Sequence, residues 1–192
     1  LLPNGLCAIT DSTQIYDPVA KKIVETNYLQ LELISPVFGV FQRHGVTQAV
    51  INDGRKDRVY VGGPVGQNVC SFCAADITLE VAEDIIHDLT NISTISITKI
   101  PSYLKGKIWL TVAHPNATKL HAIGTIAERL GCSREQLVGV GDGYNDFPLL
   151  MACGLKIAMG NAVAQVKAIA DFIAPPVEED GVATVIEKFI LS

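Results

Sequence analysis

The 192-residue chain has little positive charge: 15 Lys and Arg stand against 20 Asp and Glu, a formal net charge of −5 with an isoelectric point of about 5.3. A nucleic-acid-binding domain carries a basic stripe, so nucleic acid is excluded as a partner. No apolar run approaches the ~18 residues that span a bilayer. The opening Leu1-Leu2-Pro3-Asn4-Gly5 has neither the basic nor the apolar region of a secretory signal. The expectation is a cytoplasmic protein with no membrane partner. Charged residues make up only 18%, against 48% hydrophobic, which excludes a disordered chain. The 16 Gly and 9 Pro fall at no fixed period, which excludes collagen-like and low-complexity classes. No internal repeat and no long linker is present. Five cysteines are an odd, scattered number, as in a reduced intracellular protein. Cys70-Ser71-Phe72-Cys73 is a lone CxxC without a second pair, a His pair or a βαβ frame. It reads as buried small residues, with a redox or metal protein as the lesser reading.

Two styles of sequence are visible. From about Lys107 onward strands and helices alternate: a strand at Ile108–Val112, a helix at Thr118–Leu130 with Leu120, Ile123, Ala127 and Leu130 on one face, and Gly131 just past its end. Ser133-Arg134-Glu135-Gln136 fits a capping box. Strands at Leu137–Val140, Leu155–Met159 and Phe172–Ala174 are separated by helices at Phe147–Cys153 and Ala162–Ala170. A last amphipathic helix covers Gly181–Leu191, with Val182, Val185, Ile186 and Phe189 on one side. Short strands with intervening helices predict βαβ units on a parallel sheet. The earlier part predicts a small α+β module: strands at Leu6–Thr10, Tyr28–Ile34, Gln48–Ile51, Arg58–Val61 and Ile95–Thr98, a helix opening at Ser35-Pro36, and a helix at Thr78–Leu89.

The strongest chemical signal is Gly139-Val140-Gly141-Asp142-Gly143-Tyr144-Asn145-Asp146. An apolar strand ends in a glycine-flanked Asp and a helix follows. Ligands of open α/β sheets sit at such strand ends. Two carboxylates and an amide in one loop repel each other unless a cation intervenes, and Mg²⁺ is the natural one, held by carboxylates and substrate phosphate oxygens. The bland alternative makes Asp146 an N-cap before Pro148 and Asp142 a turn residue. Lys119, in the first turn of its helix, opposes the helix dipole. An anion bound there would reverse that cost; otherwise Lys119 is a solvated lysine. The acidic loop follows 142 − 119 = 23 residues later, enough for helix, turn and strand to return to the same sheet edge.

Lys119, the 138–146 loop, Ala158-Met159-Gly160-Asn161-Ala162 and Glu179-Asp180-Gly181-Val182 together resemble the C-terminal half of a haloacid dehalogenase-like (HAD) hydrolase, most like the Cof-type sugar-phosphatase branch. Asn4-Gly5-Leu6 resembles more weakly the Asn-Gly-Ala that closes the first half of that family's core. The resemblance implies an α/β, Rossmann-like half-core of parallel strands with an inserted α+β cap: residues 1–12 as a core segment, 13–107 as cap and 108–192 as the C-terminal half-core. It implies Mg²⁺ as cofactor and a small phosphorylated metabolite, of the sugar-phosphate kind, as substrate. It also implies roles: Lys119 neutralises phosphoryl group and nucleophile, Asp142 ligates Mg²⁺, Asn145 contacts phosphate, and Asp146 is the second acidic residue, as catalytic support or metal ligand.

The family's nucleophile sits in an Asp-x-Asp-x-Thr motif, which this sequence lacks. Asp11-Ser12-Thr13 and Asn52-Asp53-Gly54 follow apolar stretches, and neither has a second Asp in place. The expectation is that the nucleophilic Asp lies upstream of Leu1, that this chain alone is inactive, and that it self-associates through an exposed core-sheet edge. The alternatives are a non-catalytic fragment or phosphometabolite-binding HAD-like protein, and, among enzymes, a phosphosugar mutase or phosphoglycolate phosphatase. Arg43, Arg55 and His114 lie near predicted loops and read as ordinary surface.

Overall fold

The computed structural model describes residues 5–191. Asn4 of the Asn4-Gly5-Leu6 match lies outside the described residues. The chain divides into two compact units, Leu1–Thr118 and Lys119–Ser192.

The first unit opens with an antiparallel ribbon of β1 (Cys7–Ile9), β2 (Gln14–Asp17) and β3 (Lys22–Thr26). The last two strands escaped the sequence reading because their runs are short and polar. Their turn is visible only in Asp17, whose Oδ1 accepts from the Val19 and Ala20 amides. No strand forms over Tyr28–Ile34. A 3-10 turn at Leu31–Leu33 leads into helix α1 (Ile34–Arg43). The alternation of Leu29, Leu31 and Leu33 misled, since Leu31 is exposed while Leu29, Ile34, Val37, Phe38 and Phe41 are buried at helical spacing.

A five-stranded antiparallel sheet follows, built from β4 (Ala49–Asn52), β5 (Asp57–Tyr60), β6 (Ser71–Thr78), β7 (Ser96–Pro101) and β8 (Lys107–Ala113) in the order β5-β4-β6-β8-β7. Helix α2 (Leu79–Leu89) leaves β6 directly, with the Thr78 hydroxyl accepting from the Val81 amide as N-cap. Both helices pack on the sheet, where Phe41, Ile85, Phe72, Leu110 and Val112 make one core. Strand β6 went unread because Cys70–Ala75 carries small residues without alternation, the pattern of a strand buried on both faces. Its CxxC is not a redox pair. Three residues of extended chain separate the α-carbons by about 10 Å, beyond the ~7 Å a disulfide allows. Both thiols are free and buried, and burial pushes the Cys73 thiol up to about 11.

Strand β8 is a correction to the expected domain boundary. Ile108–Val112 belongs not to the parallel core but to this antiparallel sheet, between β6 and β7. The division therefore falls at Thr118/Lys119 rather than at 107/108, and residues 5–12 share the unit of residues 13–118. Asp76, in the left-handed region (φ 55) at the β6 irregularity, ties the three strands together. Its Oδ1 accepts from Trp109 Nε1 at 2.9 Å and from the Ser102 hydroxyl.

The second unit is the expected α/β layer. Helix α3 (Lys119–Leu130), β9 (Val138–Gly141), α4 (Phe147–Ala152), β10 (Leu155–Ala158), α5 (Ala164–Ile169), β11 (Phe172–Ile173) and α6 (Gly181–Phe189) follow in turn. The three strands are parallel in the order β11-β10-β9. The capping box at Ser133 and Gln136 forms as read. Leu150, Ile157, Val166 and Val185 centre the core. The α3 face turns differently from the expectation: Ala122 and Ala127 are buried, while Leu120 and Leu130 are exposed. No helix of the described residues is long and apolar enough to cross a membrane.

Phe72 is fully buried, stacked on Phe41 with centroids 5.4 Å apart and edge-on to Tyr60 at 5.5 Å. Phe72→Ala is expected to cost about 3–5 kcal/mol of the first unit's stability. The measurement is urea unfolding followed through Trp109, the single tryptophan.

Candidate functional site

The parallel register brings three strand ends level. Gly141 lies opposite Ala158, and Ala158 opposite Ile173, so three loops leave the sheet at one carboxyl edge. The edge is laced by main-chain bonds: Met159 N–H to Gly141 O at 3.0 Å, Ala174 N–H to Ala158 O at 2.8 Å, and Val163 N–H to Asp142 O at 2.9 Å.

Asp146 organises the first loop. It is 5% exposed and both its oxygens are engaged. Oδ2 accepts from the Asp142 amide at 3.0 Å and the Gly143 amide at 3.1 Å, and Oδ1 pairs with Lys119 Nζ. Burial alone would raise the Asp146 carboxyl, but the Lys119 ammonium and the two amides outweigh it and hold the pKa below the ordinary 3.8. The loop closes this tightly because residue 141 has no side chain: a Cβ on Gly141 would stand 2.5 Å from the Asp146 Cβ. Lys119 opens α3, so the first turn of that helix and its ammonium meet the loop after β9 as the spacing implied.

Asp142 is free where Asp146 is not. Its side chain is exposed at the mouth of the loop, and its protein contact among the described residues is the Asn161 amide, Nδ2 to Oδ2 at 3.3 Å. Asn161 is itself oriented from behind, its Oδ1 accepting the Val177 amide at 3.2 Å. That turn is wedged against α6, since a Cβ on Gly181 would fall 2.0 Å from Pro175 O. Asn161 is the site residue that reading by role missed. It stands within Ala158-Met159-Gly160-Asn161-Ala162, and no local signal says that its amide crosses to the neighbouring loop. Asn145 is half-buried, its Oδ1 over Gly143, 2.8 Å from where a Cβ there would be.

The donor set fits a hard divalent cation that brings most of its own ligands. Among the described residues no three His, Cys, Asp or Glu side chains gather as a cage. Asp142 supplies one exposed carboxylate, and Mg²⁺ takes one or two of these plus water and phosphate oxygens. The expectation that Asp146 is a second ligand meets an obstacle: neither of its oxygens is spare in this arrangement. The structure thus joins Lys119 to Asp146 and Asp146 to the backbone of Asp142.

Comparison with known proteins agrees with this geometry. Residues 63–186, well over half of the chain, match the family model described as haloacid dehalogenase-like hydrolase. A phosphoglycolate phosphatase of Methanopyrus kandleri is 46% identical over 65 residues, 34% of this chain and 28% of that protein. The 5-amino-6-(5-phospho-D-ribitylamino)uracil phosphatase YcsE of Bacillus subtilis is 40% identical over 73 residues, 38% of this chain and 29% of that protein. The match therefore spans under a third of the length of either relative. The solved HAD subclass IIB sugar phosphatase BT4131 shares the fold, with a TM-score of 0.76 at 19% identity over 96% of this chain and 75% of that one. With a parallel sheet, a glycine-flanked aspartate at the end of β9 and a lysine opening α3 behind it, the chain belongs to the haloacid dehalogenase-like hydrolases.

Proposed function

We propose that the protein is a Mg²⁺-dependent phosphatase of small phosphorylated metabolites, sugar phosphates foremost, of the Cof type. The single observation that carries this reading is the Lys119–Asp146–Asp142 chain at the carboxyl edge of the parallel sheet. The phosphatase names of the relatives and the sugar-phosphatase fold neighbour support the substrate class.

Phosphoryl transfer needs positioning and charge stabilisation more than covalent help from most residues. Lys119 lends its ammonium to the phosphoryl oxygens while Asp146 fixes where that ammonium points. Asp142 presents a carboxylate to the cation, which when bound neutralises phosphate charge. Asn161 turns that carboxylate, and Asn145 offers its amide to a phosphate oxygen. The nucleophilic Asp is proposed to come from an Asp-x-Asp-x-Thr segment upstream of Leu1. The 192-residue chain by itself would then release no phosphate. It would also self-associate through β9, an edge strand among the described residues. A phosphoglycolate phosphatase is the second reading, favoured by the Methanopyrus relative.

Phosphate release from a panel of sugar phosphates by the protein of the complete gene, with and without Mg²⁺, tests the proposal. Lys119→Ala and Asp142→Ala are each expected to lower turnover about 10²–10³-fold. Turnover that is indifferent to both variants, or absent from the complete protein, overturns it. Asn161→Ala is expected to weaken Mn²⁺ binding, read by electron paramagnetic resonance, about 10-fold without unfolding the protein.

The Asp146 network also sets a pH dependence. Its carboxyl titrates lower folded than unfolded, so its contribution is fully present above the ordinary 3.8 and is lost as pH falls through the folded value. Asp146→Asn is expected to cost about 1.5–3 kcal/mol at neutral pH. It should also flatten the loss of stability as pH falls below the ordinary carboxylate value of 3.8, as followed by thermal unfolding.

A further inference from the structure

Strand β8 ends at Ala113 and helix α3 opens at Lys119, and His114-Pro115-Asn116-Ala117-Thr118 joins them. The segment is a closed double turn. His114 O accepts the Ala117 amide at 2.8 Å, which closes a β-turn, and the Thr118 amide donates to Asn116 O at 2.8 Å, which closes a second, shorter one. Pro115 occupies the second position of the β-turn, where its fixed φ belongs. The turn is anchored on both sides. The Ser96 hydroxyl, on β7, also donates to His114 O, at 2.9 Å, so that carbonyl uses both lone pairs. Ala117 is buried.

One bond of the turn comes from a side chain. The β-turn's own bond leaves the Asn116 amide unused, and that amide donates to His114 Nδ1 at 3.1 Å. Nδ1 accepts only through a lone pair, so the ring is held with its proton on Nε2. The connectivity is that of an Asx turn, in which a side-chain acceptor takes the amide two residues on. In this chain a half-buried imidazole fills the place of the usual Asp or Asn. His114 therefore has a defined task where its sequence context suggests only surface.

The residue that follows the turn is Lys119. A lysine carries its charge on a flexible four-carbon stem, so a steady ammonium needs a fixed point at each end. Asp146 fixes the ammonium end. The main-chain end is fixed by whatever holds the chain just before α3.

We propose that His114 is a positioning residue for the phosphoryl-transfer site: its ring locks the turn from which the Lys119 helix starts. The inference rests on the proposed role of Lys119 and adds a residue to it. With the ring bond in place, Asn116 and Thr118 are held and the first turn of α3 starts from a fixed point. Without it, main-chain bonds alone keep the connection, the first turn frays, and the ammonium drifts from Asp146.

The test uses the complete protein with His114→Ala, His114→Asn and Lys119→Ala. Asparagine carries an oxygen that takes the amide two residues on, so it restores the bond without the ring. Acetylation of Lys119 by acetic anhydride, followed by mass spectrometry, reads the pairing of the ammonium without any catalysis. Hydrolysis of p-nitrophenyl phosphate with Mg²⁺ reads the site. His114→Ala is expected to acetylate about 5-fold faster at Lys119 and to lose about 10-fold in kcat with KM little changed. His114→Asn is expected to stay within about 2-fold of the parent in both readouts. Unchanged acetylation of Lys119 in His114→Ala overturns the proposal, and so does His114→Asn behaving like His114→Ala. Turnover lost in Lys119→Ala while His114→Ala matches the parent in both readouts sinks this inference alone. A complete protein that hydrolyses nothing sinks the phosphatase reading, and acetylation of Lys119 still decides the role of His114.

Discussion

A single buried carboxylate, that of Asp146, holds the candidate site in shape. A charge at 5% exposure is tolerable only with close partners, and Asp146 has three: the Lys119 ammonium and the amides of Asp142 and Gly143. The partners come from two elements, one from the start of α3 and two from the loop leaving β9. Removing any of them leaves a buried charge less satisfied, so the geometry is over-determined. The same arrangement divides labour between two acidic residues four positions apart. Asp146 is spent on structure, and Asp142 is left exposed at the mouth, met by the Asn161 amide.

The sheet makes this possible. Parallel strands in register deliver three loops to one edge, and each loop supports the next: Asn161, after β10, reaches Asp142, after β9, and Val177, after β11, orients Asn161. The turns are also closed tightly within themselves, and the glycines at 141 and 181 admit no side chain. At Gly141 the space is filled by Asp146 of the same loop, and at Gly181 by the Pro175 carbonyl and the Met159 side chain. The edge is thus a set of mutually braced turns rather than a flexible rim, which is what electrostatic catalysis requires of groups that must not reorganise.

Much of the second unit was legible because its signals are local. Capping at Ser133, the stops at Gly131 and Gly154, and the short apolar strands at 138–141 and 155–158 each announce themselves within a few residues. The first unit was less so. β6 is buried on both faces and shows no alternation, β2 and β3 are short and polar, and the Leu29–Leu33 alternation imitates a strand where Ile34, Val37 and Phe41 dictate a helix. Strand β8 shows a deeper limit. Its residues read correctly as a strand, but nothing local tells antiparallel partners from parallel ones, so its allegiance was misassigned. In the site, Lys119, Asp142 and Asp146 were legible as a group from spacing. The partition of roles between the two aspartates was not, because it depends on which oxygen meets which amide.

That partition bears on how the site meets its ligand. Under the proposed function, a phosphoryl group arriving while Lys119 is paired to Asp146 would compete for the ammonium or share it. Sharing is the cheaper course, since Asp146 keeps two amide donors when the lysine leans away. Asp142 faces the opposite problem. Among the described residues, its exposed carboxylate has a single neutral donor in Asn161 and no cation. The loop therefore holds, side by side, one carboxylate that is satisfied and one, Asp142, whose partner among the described residues is a neutral amide, and a cation beside Asp142 would relieve the second. Under the proposed function, a divalent cation carrying a phosphate ester would meet Asp142 with its charge and offer phosphate oxygens to Lys119.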